Sequence, residues 1–89
     1  MSTIEEDAQA IEAISKAFER PVELLSVASF EINELLTRAN GVIGGTTGMR
    51  HLMIKSNTAK DQMEKTATTI GEIRLMLTEI ATAVRRSGL

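Results

Sequence analysis

The chain has no cysteine, tryptophan or tyrosine, one proline, one histidine and only two aromatic residues, Phe18 and Phe30. Each scarcity removes a class of protein. Without cysteine there is no disulfide framework and no thiolate metal site, and the composition suits a reducing cytosol. A lone histidine, His51, makes none of the familiar zinc or iron ligand sets, and the Glu-x-x-His pairs of di-iron helical bundles are missing. The sequence assembles no Ser/His/Asp set around it. No catalytic, cofactor-binding or metal-binding residue is therefore assigned, no small-molecule substrate is indicated, and the chain is not expected to be an enzyme. The bases Lys55, Lys60, Lys65 and Arg74 alternate with acids and have no aromatic neighbour for base stacking, so no nucleic-acid partner is expected. No apolar run approaches the roughly 18 to 20 residues that cross a bilayer. The acidic start Glu5-Glu6-Asp7 is the opposite of a cleavable export signal. These features predict a cytoplasmic protein without a membrane span, with export by a signal-peptide-independent route as the alternative.

What is present favours helix. Apolar residues make up 43% of the 89 positions and are mostly Ala, Ile, Leu and Met, which suit helices better than sheets. A chain of this length forms one domain with a thin core. The net charge of −2 conceals an asymmetry, since residues 1–40 carry eight acids and three bases while residues 41–89 carry seven bases and four acids. The two halves are electrostatically complementary.

Four of the six glycines fall between Asn40 and Gly48, the one stretch where helical periodicity lapses. Such density marks a chain reversal. The sequence thus predicts an all-α fold, a single long antiparallel helical hairpin over residues 1–89, with arm one at 3–40, a Gly-rich turn at 41–48 and arm two at 49–86. Asn40 and Gly41 are the expected helix stop, and Thr46 or Thr47 the cap of the next helix. The turn lacks the Gly-Lys-Ser/Thr of a nucleotide-binding loop, because Met49-Arg50 follows Gly48 and a helix precedes it.

On the first arm, Ser2 or Thr3 can cap the helix, with Glu5, Glu6 and Asp7 at the positive end of its dipole. Alternating steps of four and three residues then trace a seam through Ile4, Ala8, Ile11, Ser15, Phe18, Val22, Leu25, Ser29, Ile32, Leu36 and Ala39. Pro21 cannot donate to the carbonyl of Ala17. Either one helix bends there or a second helix starts with Pro21 at its first position; the seam stays in phase across the proline, which favours the bend. A second stripe of Ile14, Leu24, Val27, Phe30 and Leu35 lies off the seam.

The second arm repeats the pattern through Met49, Leu52, Ser56, Ala59, Met63, Thr66, Ile70, Ile73, Leu77, Ile80 and Val84, ending near Arg85-Arg86 with Gly88 as terminator. Folding the chain at Gly44 sets Leu36 against Leu52, Ser15 against Ile73 and Ala8 against Ile80, mostly small residues against large. Acidic Glu5, Glu6 and Asp7 then come beside Arg85 and Arg86. The mid-rod layers around Ser29, Ser56 and Ala59 are thin, and Gly71 is expected to make room for the Phe18 ring or for the bend at Pro21.

Two helices cannot enclose a core, so the pattern predicts self-association, most simply two hairpins in a dimeric four-helix bundle, or completion by another helical protein. The expected function is a non-enzymatic interaction or structural module. Its candidate partner-binding residues are Leu24, Val27, Phe30, Val42 and Ile43. Two other settings share the architecture. In length and in having two helices the chain is similar to type III secretion needle subunits, with glycines where their turn carries proline. It also has the form of the secreted helical hairpins related to early secretory antigens, without their Trp-x-Gly turn. The run from Ile70-Gly71-Glu72-Ile73 to Ile80-Ala81 resembles a chemoreceptor signalling helix in rhythm. These likenesses imply, as alternatives, a secretion-system subunit or a signalling adaptor.

Overall fold

The structure, a computed structural model, describes residues 3–87. Three helices follow in order: α1 (Ile4–Ala17), α2 (Glu19–Ile43) and α3 (Thr47–Ser87). The first two form one arm and α3 the other, giving a rod of 66 × 15 × 13 Å. Its radius of gyration is 20.2 Å, where a compact chain of this length has about 12 Å.

The start of α1 follows from its cap. Thr3 is extended and its side-chain oxygen accepts from the Glu6 N–H at 3.1 Å, while Glu5, Glu6 and Asp7 occupy the first turn. The alternative cap Ser2 and the terminator Gly88 lie outside the described residues.

The bend falls at Phe18. Its backbone remains right-handed helical (φ −69°, ψ −9°), but its N–H donates to Ser15 O at 3.2 Å, a tighter three-residue bond. Ending α1 at Ala17 places Pro21 third in α2, within the first turn, where backbone N–H groups have no intrahelical acceptor. The chain therefore bends without opening, and the boundary precedes the proline by three residues.

The reversal is shorter than residues 41–48. Asn40, Gly41, Val42 and Ile43 all continue α2, and Thr47 and Gly48 already belong to α3. The helix runs past Gly41, where a side chain would meet nothing, against the low helix propensity of Asn40 and Gly41. Gly44 N–H donates to Asn40 O at 2.9 Å, and Gly45 takes the left-handed conformation (φ +79°) that turns the chain. Thr46 locks the corner from both sides. Its hydroxyl donates to Ile43 O at 2.6 Å and accepts from Met49 N–H at 3.1 Å, capping α3.

Burial along the first arm follows the expected seam: Ala8 and Ser15 are buried, and Ile11, Phe18, Val22, Leu25, Ser29, Ile32, Leu36 and Ala39 are half-buried, with Ile4 exposed. The second arm keeps Met49, Ser56, Ala59, Met63, Ile70, Leu77 and Val84 but replaces the other expected positions. Ala67, Arg74 and Ala81 face the first arm, while Leu52, Thr66, Ile73 and Ile80 are exposed. Ser15 consequently meets Arg74, not Ile73. The left-handed pivot at Gly45 instead of Gly44 shifts the register. Small residues at the contact also let α1 and α3 approach closely, with Ala8 at 0% and Ala81 at 1% exposure. Gly71 does not serve the Phe18 ring or the bend, because a side chain there would meet nothing within 4 Å.

Candidate interaction surface

The two flanks beside the seam differ in kind. In an antiparallel pair a two-fold relation normal to the plane of the arms brings like flanks to the same side, so residues that follow seam positions face each other across the rod. That side is polar. Arg85, after Val84, makes two parallel hydrogen bonds to Glu5, from Nε to Oε2 and from Nη2 to Oε1, each 3.0 Å, and Nη2 also bonds Glu12. The hydrogen bonds from Arg85 hold the Glu5 carboxyl below its ordinary pKa, and those to Glu5 and Glu12 raise that of Arg85. Farther along, Lys60 Nζ donates to Asn33 Oδ1 at 2.8 Å.

Arg74 joins this polar side to the bend. Its Nε donates to Ser15 O at 3.1 Å and its Nη2 to Glu19 at 3.1 Å, while the Ser15 hydroxyl donates back to Arg74 O at 3.2 Å. One guanidinium thus binds the carboxyl-terminal turn of α1 and the first residue of α2, clamping both sides of Phe18 to α3. The alternation of charges around Arg74 in the sequence gave no sign of this role.

The opposite flank is richer in aliphatic groups on both arms, interrupted by Asp7, Glu31, Arg38, Lys55 and Gln62. On the first it carries Ile14, Leu24, Leu35 and Val42, separated by Ala10, Ala17 and Ala28; on the second it carries Leu52, Ile73, Met76 and Ile80 with Ala59 and Ala83. Every one of the larger residues is exposed. The ion pairs lie on one flank of the rod, and a larger share of the exposed aliphatic groups on the other.

The five candidate contact residues do not form one patch. Leu24, Val27 and Phe30 are spaced at three residues and wind around α2, so Leu24 lies on the aliphatic flank and Phe30, 63% exposed, roughly a third of a turn away on the side of the ion pairs. Val42 and Ile43 lie in the last turn of α2 near the tip, Val42 86% exposed and Ile43 38%. Sequence reasoning missed Ile73 and Ile80 as exposed groups, because their seven-residue spacing reads as core; Met76, off the expected seam, is open to a partner as its place in the sequence allows.

Between the arms at mid-rod lies an open cleft of about 290 Å³, lined by Val22, Leu25, Ser29, Lys60, Met63 and Ala67. It coincides with the small seam residue Ser29. Among the described residues no group of three or more His, Cys, Asp or Glu side chains could hold a metal ion, and no buried side-chain nitrogen or oxygen lacks a hydrogen-bond partner. His51 is exposed. No helix among the described residues is long and apolar enough to cross a membrane. Comparison with protein-family models, curated proteins and solved structures finds no match for the chain.

Proposed function

We propose that this hairpin is a non-enzymatic, self-associating interaction module whose working form is a dimeric four-helix bundle. The observation that carries the reading is the excess of exposed surface, which includes the aliphatic groups on the flank opposite the ion pairs. The chain exposes 6789 Å², whereas a folded monomer of 9.7 kDa exposes about 5,100 Å². The excess, about 1,700 Å², exceeds the roughly 800 Å² that each partner buries in a stable interface of standard size. A second hairpin laid on the aliphatic flank completes the enclosure that two helices cannot make. Leu24 contributes to that contact from α2, and Ile73, Met76 and Ile80 from α3; Val42 and Ile43 extend it toward the tip.

Light scattering and sedimentation at micromolar concentration test the reading. The expected mass is twice that of the chain, and replacing Leu24 and Ile80 together by serine returns it to monomer while the arms remain helical. A parent chain that sediments as a fully folded monomer sinks the proposal. Helical protein captured in place of a second copy would redirect it to a hetero-complex.

A further inference from the structure

Charge is uneven along the rod as well as around it. Between Glu34 and Asp61 the chain carries Arg38, Arg50, Lys55 and Lys60 and no acid, the longest acid-free run in the sequence. That run contains the corner. With His51 counted neutral the tip is at +4 in a chain of net charge −2, which leaves −6 on the remainder. Glu34 lies ten residues before Gly44, about 15 Å back along its helix, nearly twice the screening length of about 8 Å at physiological salt.

The tip is also aliphatic in more than one direction. Leu52, Met53 and Ile54 are consecutive and all exposed, and at about 100° per residue they spread over about 200° around α3. Measured from the seam residues Met49 and Ser56, Leu52 and Met53 fall on opposite sides, and Ile54 faces away from the first arm. Arg50 and Lys55 likewise fall on opposite sides. Val42, near the corner, is the most exposed of the described large aliphatic residues. A second hairpin laid on one flank reaches Leu52 and leaves Met53 and Ile54 in water. A medium entered tip first reaches them all.

We infer that the tip docks on an anionic lipid surface, with Val42, Met53 and Ile54 entering the boundary between headgroups and acyl chains and Arg38, Arg50 and Lys55 on the lipid phosphates. Interfacial binding of this kind adds apolar burial to attraction by anionic lipid and needs no membrane-crossing helix. A polynucleotide would satisfy the bases but offer the exposed aliphatic groups no apolar medium. The acidic remainder keeps the open end off the same surface, so the rod stands on its tip. This contact is separate from the self-association proposed above, because Leu24, Ile73, Met76 and Ile80 lie farther from the corner.

Co-sedimentation with vesicles of phosphatidylcholine alone, and of phosphatidylcholine mixed with phosphatidylserine, tests the inference. The expected result is retention by the anionic vesicles only, weakening as salt is raised. Arg50→Gln with Lys55→Gln, confirmed helical by circular dichroism, weakens binding by roughly 30-fold, about fivefold for each base. Val42→Ser with Ile54→Ser weakens it several-fold with the charge intact. Arg20→Gln with Lys65→Gln removes the same charge from exposed positions outside the tip and leaves binding unchanged. An equal loss in that control, equal binding to both vesicles, or binding to neither overturns the inference. Retention by RNA or an acidic polypeptide without vesicle binding also overturns it and assigns the tip to that partner. A dimer mass without vesicle binding removes this inference alone, whereas vesicle binding by a monomer removes the self-association and leaves the tip contact standing.

Discussion

Ala81→Leu is the most direct probe of how the arms meet. Ala81 and Ala8 are almost completely inaccessible, and their methyl groups set the distance between α1 and α3. Leucine adds three carbons at a point where the helices already touch, so the arms must part or the side chain must leave its preferred rotamer. Overpacking of this kind costs about 1–3 kcal/mol. In a domain of this size each kcal/mol moves the unfolding midpoint by about 4–8 °C, so the midpoint falls by roughly 5–20 °C. The measurement is thermal circular dichroism at one fixed protein concentration, because association shifts the midpoint by mass action. Ala13→Leu, on an exposed face of α1, is the reference and changes stability by no more than about 0.5 kcal/mol. An Ala81→Leu chain as stable as its parent would refute the packing described, and would return Ile80 to the seam in its place.

The remaining predictions concern the turn, the clamp and acid stability. Gly45→Ala forces a side chain into the left-handed region and destabilises by about 1 kcal/mol, whereas Gly41→Ala, helical and unobstructed, stabilises by about 0.5–1 kcal/mol; chemical denaturation with an unchanged m-value separates the two. Arg74→Ala loses a charged hydrogen bond to the Ser15 carbonyl and a half-exposed pair with Glu19, together about 1–2 kcal/mol, and Arg74→Lys restores little because lysine lacks the fork. The backbone amides flanking Phe18 should show the largest gain in hydrogen exchange. For Glu5 the folded pKa lies below the unfolded one, so its link to Arg85 stabilises above the ordinary glutamate range and is lost as pH falls through the folded value. Stability curves of the parent and Glu5→Gln should therefore converge in acid, and a constant separation at every pH would contradict the pairing.

The first arm was legible because only one of its faces offers a continuous heptad of seam residues. Its ten positions from Ala8 to Ala39 are buried or half-buried as the spacing indicates. The hairpin itself was legible from the glycines, but its corner was not. Asn40 and Gly41 are good helix terminators by propensity, yet propensity is overridden where Gly44, Gly45 and Thr46 supply a complete set of cap and turn bonds three residues later. The clamp by Arg74 was hidden for a different reason. An arginine on an alternating charged helix reads as solvated, and only the bend at Phe18, which brings the end of α1 and the start of α2 to one place, gives its guanidinium two acceptors at once.

Arm two misled because it carries two heptad patterns that share half their positions. Met63, Ile70, Leu77 and Val84 belong to both; Thr66, Ile73 and Ile80 complete one, and Ala67, Arg74 and Ala81 the other. Hydrophobicity favours the isoleucines, whereas close approach to Ala8 and Ser15 favours the smaller set and the arginine that reaches the bend. Within a single hairpin the smaller set takes the contact, and the isoleucines stand exposed beside Ile14 and Leu24 on the same side of the rod. Leu52, Ile73 and Ile80 thus leave aliphatic groups outside the intramolecular seam, consistent with packing against a partner. The residues that depart from the simplest packing scheme are the exposed aliphatic groups on which the proposed association draws.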